Sequence, residues 1–104
     1  MIIRESLYTY GYSEKKRNKV IKKINRQAKV KDLHVIVLPL FDDGLLEIYP
    51  FDQLLQPFYK EMTDNIKIVG IAKGKDGATA LVQDIIQQIY DSGCDFDVNK
   101  FFEM

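Results

Sequence analysis

The stretch that most narrows the folds open to this chain is IKIVGIAKGKDGATALVQDIIQQIYD, Ile66 to Asp91. Ile66–Ala72 is apolar or glycine at every position but Lys67. Such a run suits a strand buried on both faces. Beyond it, Ala78, Leu81, Val82, Ile85 and Ile89 recur at spacings of three and four. That period is the apolar stripe of an amphipathic helix, expected from Asp76 through about Tyr90. Asp76 is the expected cap, because its carboxylate accepts from an orphan amide of the first turn. Gly93 is the expected stop. Strand, glycine loop and helix in this order define a β-α unit.

The preceding segment supplies two more strands. HVIVLPLF, His34 to Phe41, reads as a central strand, and LLEIY, Leu45 to Tyr49, as its neighbour. Asp42-Asp43-Gly44 between them is a hairpin signal, since glycine takes the positive φ that a tight turn needs. Pro39 has no amide to donate and belongs where the ladder ends. A helix is expected over Asp52–Met62, capped by Asp52, with its first turns bent by Pro57. A last turn over Asp97–Phe102 returns two phenylalanines to the core.

These elements predict a small α/β (α+β) domain in the order α-β-β-α-β-α. Its sheet has three strands, a β-hairpin plus a β-α-β crossover. The most apolar strands should be interior, so the His34 strand is expected between the other two. Both long helices of this part are expected on one face, which leaves the other face in need of cover.

The net charge of zero conceals an asymmetry. Residues 1–31 hold ten Lys or Arg against two Glu, a balance of +8. Residues 32–104 hold five Lys against thirteen Asp or Glu, a balance of −8. Ser13 to Lys29 reads as a helix capped by Ser13, with a thin stripe of Val20, Ile21, Ile24 and Ala28. Lys15, Lys16, Arg17, Lys19, Lys22, Lys23, Arg26 and Lys29 cover the rest. Before it, alternating tyrosines over Leu7–Tyr12 suggest a short strand. The expected division is a basic N-terminal arm, 1–31, and a compact domain, 32–104, with the arm separable.

The runs LEIYPFDQLLQPFYK, IVGIAKGKDGATALVQDIIQQIYD and DFDVNKFF together resemble a group of short bacterial proteins of unassigned function, over about residues 34–104. The resemblance implies a small stand-alone α/β domain. It implies no activity, cofactor or catalytic residue.

The glycine loop invites comparison with phosphate-binding loops. A P-loop requires four residues between its first glycine and a Gly-Lys-Ser/Thr sequence. Here three separate Gly70 from Gly74-Lys75, and Asp76 stands where the hydroxyl is needed. The dinucleotide fingerprint fails on spacing as well. Each glycine has a structural use: Gly70 for close helix approach, Gly74 for the turn, Gly77 in the first helical turn. Lys73, Gly74, Lys75 and Gly77 remain a candidate for simple anion binding at the helix start. His34, the sole histidine, has no partner motif and reads as a strand-end residue. Cys94, the sole cysteine, lies beside Asp95 and Asp97, which disfavour a thiolate. Asp42-Asp43 and Asp95-Phe96-Asp97 lack the spaced oxygen set of a calcium loop.

No catalytic motif or cofactor signature emerges, so a non-enzymatic role is expected. Composition is ordinary for a globular chain, at 46% hydrophobic and 29% charged residues. With one cysteine, no secretion signal and no run of about 20 apolar residues, a cytoplasmic protein without membrane segments is expected. The leading functional expectation is a protein-interaction or regulatory module, self-associating as a homodimer or meeting a protein partner through its uncovered sheet face. The alternatives are nucleic-acid binding through the basic helix, with Tyr8, Tyr10 and Tyr12 available for stacking, and anion or nucleotide binding at residues 68–80.

Overall fold

The computed structural model describes residues 1–40, 44–93 and 97–102. The chain runs through β1 (Ile2–Tyr10), α1 (Glu14–Asn25), β2 (Leu33–Val37) and β3 (Glu47–Pro50). It continues through α2 (Phe51–Leu54), a 3-10 helix (Pro57–Asn65), β4 (Lys67–Lys73), α3 (Lys75–Ser92) and α4 (Val98–Phe102). The sheet has four strands in the order β1-β4-β2-β3, not the expected three. The addition is β1, which pairs in parallel with β4. Its tyrosine alternation marks only its second half. β2 lies between β3 and β4, antiparallel to both, as the apolar ranking of the strands expects.

Register irregularities set the faces. Ile36 pairs with Gly70, but Val37 pairs with Ile68, so Val69 is an extra residue in β4. A one-residue slip exchanges the faces of whatever follows it. Ile66, Ile68 and Ile71 therefore enter one core cluster, and Val69 and Ala72 the other. Along β1 the chain takes five steps from Ile3 to Tyr8 while β4 takes two, from Ile68 to Gly70.

Helices cover both faces, which corrects the one-face expectation. Val20 and Ile24 of α1, Phe51 and Leu54 of α2, and Tyr59 of the 3-10 helix pack on one side. Leu81, Ile85 and Ile89 of α3, with Val98 and Phe102 of α4, pack on the other. The thin stripe of α1 buries deeply, with Val20 2% and Ile24 0% exposed. Phe102 returns to the core as expected, and the Asp97 carboxylate accepts from the Lys100 amide at 3.1 Å.

Local chemistry explains the remaining differences. The expected helix over Asp52–Met62 is split in two. Gln56 is extended at φ −72° and ψ 152°, as a residue before proline prefers, and Pro57 opens the 3-10 segment. Pro50, not Asp52, occupies the cap position of α2. Gly74, at φ 80°, occupies that of α3, and Asp76 falls inside its first turn. Ser13 does cap α1, accepting from the Lys16 amide at 3.2 Å. That helix ends at Asn25 rather than Lys29, where Gln27 turns to φ 55°. β2 stops at Val37, two residues before Pro39, so the connection to β3 is longer than a two-residue hairpin. Asp42 and Asp43 of the expected turn lie outside the described residues. Gly93 terminates α3 in the left-handed conformation, φ 73°, as expected.

Gly70 performs the role assigned to it. A Cβ there would stand 3.2 Å from Ile36 Cδ1 and 3.3 Å from Leu81 Cδ2. Gly70→Ala is expected to cost ~1–3 kcal/mol through overpacking between β4 and α3, read from urea melts. A second expectation concerns residues 1–31. Their removal would strip β4 of its parallel partner and expose the apolar surface that Val20 and Ile24 cover. Those two side chains contribute about 1.5–3 kcal/mol each. Deletion of residues 1–31 is therefore expected to abolish the cooperative thermal transition. A truncated chain that still melts cooperatively would support the division at Lys31–Asp32.

A candidate anion-binding cleft

β1 and β4 are adjacent and parallel, yet the chain leaves them toward opposite faces. After β1 it turns at Gly11 into α1, and after β4 it turns at Gly74 into α3. Where neighbouring parallel strands part in this way, a crevice opens beyond their carboxyl ends, and open α/β sheets use such crevices for ligands. Three connections meet there. Gly11 has φ 82°, and a Cβ on it would lie 2.9 Å from Lys73 Cβ, so only glycine allows this approach. Asp32 has φ 60°, a left-handed conformation that Asp tolerates better than most residues. Its carbonyl accepts from the Gly74 amide at 2.7 Å, which ties the connection before β2 to the one before α3.

A cleft of about 370 Å³ opens on the α1 side of this junction. Its charged lining is Lys16, Lys19 and Lys23 from α1, Lys31 and Asp32 from the following connection, and Lys73 from the end of β4. Val20 and Val30 form an apolar wall. Lys16, Lys19 and Lys23 lie three and four residues apart and so share one side of the helix. Among the described residues, none of these five lysine side chains makes an ion pair or a hydrogen bond.

The other candidates are dispersed. Lys15, Lys22 and Arg26 are exposed, on the side of α1 away from Val20 and Ile24, and Lys29 lies beyond the helix end. Arg17 is half-buried. Of the glycine-loop set, Lys73 alone reaches the cleft. The Gly74 amide is committed to Asp32, and Lys75 is exposed. The Tyr10 ring lies over Gly77, where an added Cβ would be 2.6 Å from Tyr10 Cδ1. Tyr10 therefore covers part of the first turn of α3. Of the three tyrosines available for stacking, Tyr10 is 47% exposed. The Tyr8 hydroxyl donates to Gln88 Oε1 at 2.6 Å, and the Tyr12 hydroxyl is buried without a partner.

Nothing local in the sequence joins Lys73 to Lys16, because their proximity arises from β1–β4 pairing. Lys31 was visible only as part of a charge count. His34 begins β2, opposite Ala72 and Pro50, and its buried Nδ1 has no partner. Cys94, Asp95 and the Asp42-Asp43 pair lie outside the described residues. Among those described, no group of three or more His, Cys, Asp or Glu is placed to hold a metal ion. No described helix is long and apolar enough to cross a membrane. Comparisons with protein-family models, curated proteins and solved structures give no match.

Burial raises the Tyr12 pKa, and the nearby Asp32 carboxylate raises it further. An ionised phenolate is thus disfavoured in the folded chain relative to the unfolded one. This contribution to stability is present in full below the unfolded pKa of about 10 and is lost as pH rises above it. Tyr12→Phe is expected to lessen that alkaline loss. At neutral pH it should leave stability unchanged or raise it by up to ~1 kcal/mol, since the buried hydroxyl forms no hydrogen bond. Denaturant melts at pH 7 and pH 10.5 check both effects.

Proposed function

We propose that this chain binds nucleic acid through the lysine surface of α1 and the cleft beside it. The carrying observation is that the α1 cations find no carboxylate partners among the described residues, although the rest of the chain carries a balance of −8. A basic helix that merely docked on an acidic domain would spend its charges on ion pairs. Here Lys31 and Lys73 extend the positive surface instead. Uncompensated cations in one concave region attract phosphates and release counterions when they bind them.

Self-association would need a sheet face without helices. That face is occupied by α1, α2 and the 3-10 helix. The nucleic-acid reading has the better physical support for this reason.

Fluorescence anisotropy with a labelled single-stranded oligonucleotide tests it. Four or five phosphate contacts should give a slope of log K against log salt of about −3, and each lysine removed should flatten it by roughly 0.7. Lys19→Ala combined with Lys23→Ala is expected to weaken binding several-fold for every sequence tried. No binding at 50 mM salt, or a slope near zero, would reject the reading.

A further inference from the structure

From the same lysine surface we infer a more particular site: the cleft between α1, Lys31 and Lys73 is a pocket for an oligophosphate group, as in pyrophosphate or a nucleoside triphosphate. Its location rests on the nucleic-acid reading, but its chemistry is separable from it. A flat basic surface serves a long polyanion and needs no enclosure. This region is a half-open recess rather than a flat face. Three separate parts of the chain converge on it, and its volume of about 370 Å³ falls at the low end of small-ligand pockets, roughly 300–1,000 Å³.

Charge selects the ligand. Five lysines against Asp32 leave a lining charge of +4, matched by an anion bearing three or four charges rather than one. Lysine is a point-charge donor whose three N–H bonds rotate to suit any phosphate oxygen. Asp32, also in the lining, repels carboxylates and phosphates alike, so it limits where the anion sits. Val30, half-buried at the cleft wall, gives the uncharged part of a nucleotide a small apolar surface.

The backbone beside the pocket is fixed as well. Asp32 is left-handed at φ 60°, its carbonyl fixes Gly74, and Gly11 lies against Lys73. These constraints bring Lys31 and Lys73 to the same cleft as Lys16, Lys19 and Lys23. The like charges raise the energy of the empty pocket, and a multivalent anion relieves that repulsion.

Thermal melts of the full chain with added pyrophosphate test the pocket, with potassium chloride at matched ionic strength as the reference. At about ten times its Kd, pyrophosphate should raise the Tm by about 5–8 °C over the reference. ATP should do the same and adenosine should not. Lys31→Gln with Lys73→Gln removes both charges but keeps polar side chains only one atom shorter, and should abolish the rise while leaving the unliganded Tm unchanged or higher. Lys15→Ala with Lys22→Ala, on the outer side of α1, should keep it. An equal rise in potassium chloride alone, or a rise that survives Lys31→Gln with Lys73→Gln, overturns the inference. Oligonucleotide binding without a pyrophosphate effect removes the pocket and spares the nucleic-acid reading. A pyrophosphate effect without oligonucleotide binding does the reverse.

Discussion

The parallel pairing of β1 with β4 is the contact on which the rest of this structure depends. It gives β4 a second neighbour and makes it an interior strand, which its apolar composition requires. It also places the end of β1 beside the end of β4, with Gly11 against Lys73. From there α1 and α3 leave on opposite faces. The two core clusters, the crevice and the lysine cleft all follow from that one ladder.

The bulge at Val69 is the second constraint. Without it, alternation would place Ile71 on the face opposite Ile68. With it, Ile71 joins Ile68 on the α1 side, while Ala72 is turned toward α3. Gly70, beside the bulge, removes the side chain that would hold α3 away. Local irregularity in one strand thus lets both faces be apolar where each is covered.

The charge asymmetry takes on a different meaning once the chain is folded. A basic segment beside an acidic one suggests neutralisation within the chain. The fold instead turns the apolar stripe of α1 onto the sheet and leaves its lysines around an open hollow. Hydrophobic burial of Val20 and Ile24 decides the orientation of the helix, because exposed ion pairs contribute at most about 1 kcal/mol each. The cations then go where geometry leaves them, and Lys31 and Lys73 join them there.

Several elements were legible in residue order alone. The period of three and four fixed α3, the apolar runs fixed β2 and β4, Ser13 capped α1, and Gly93 ended α3. Each rests on chemistry confined to a few neighbouring residues. The helix expected from Asp52 is split because Pro57 breaks it rather than bends it. Asp76 does not cap α3 because Gly74 takes that place with a positive φ. β1 was only half visible, since Ile2 to Ser6 mixes polar and apolar residues without a strict alternation. Its partner, its parallel direction and its bulge are long-range properties, set by an open edge on β4 that exists only after the sheet has formed. The cleft belongs to the same class. Lysine positions are plain in the chain, but Lys16 and Lys73 are 57 residues apart. Only closure of the β1–β4 ladder, with the Asp32 carbonyl holding Gly74, brings them to one site.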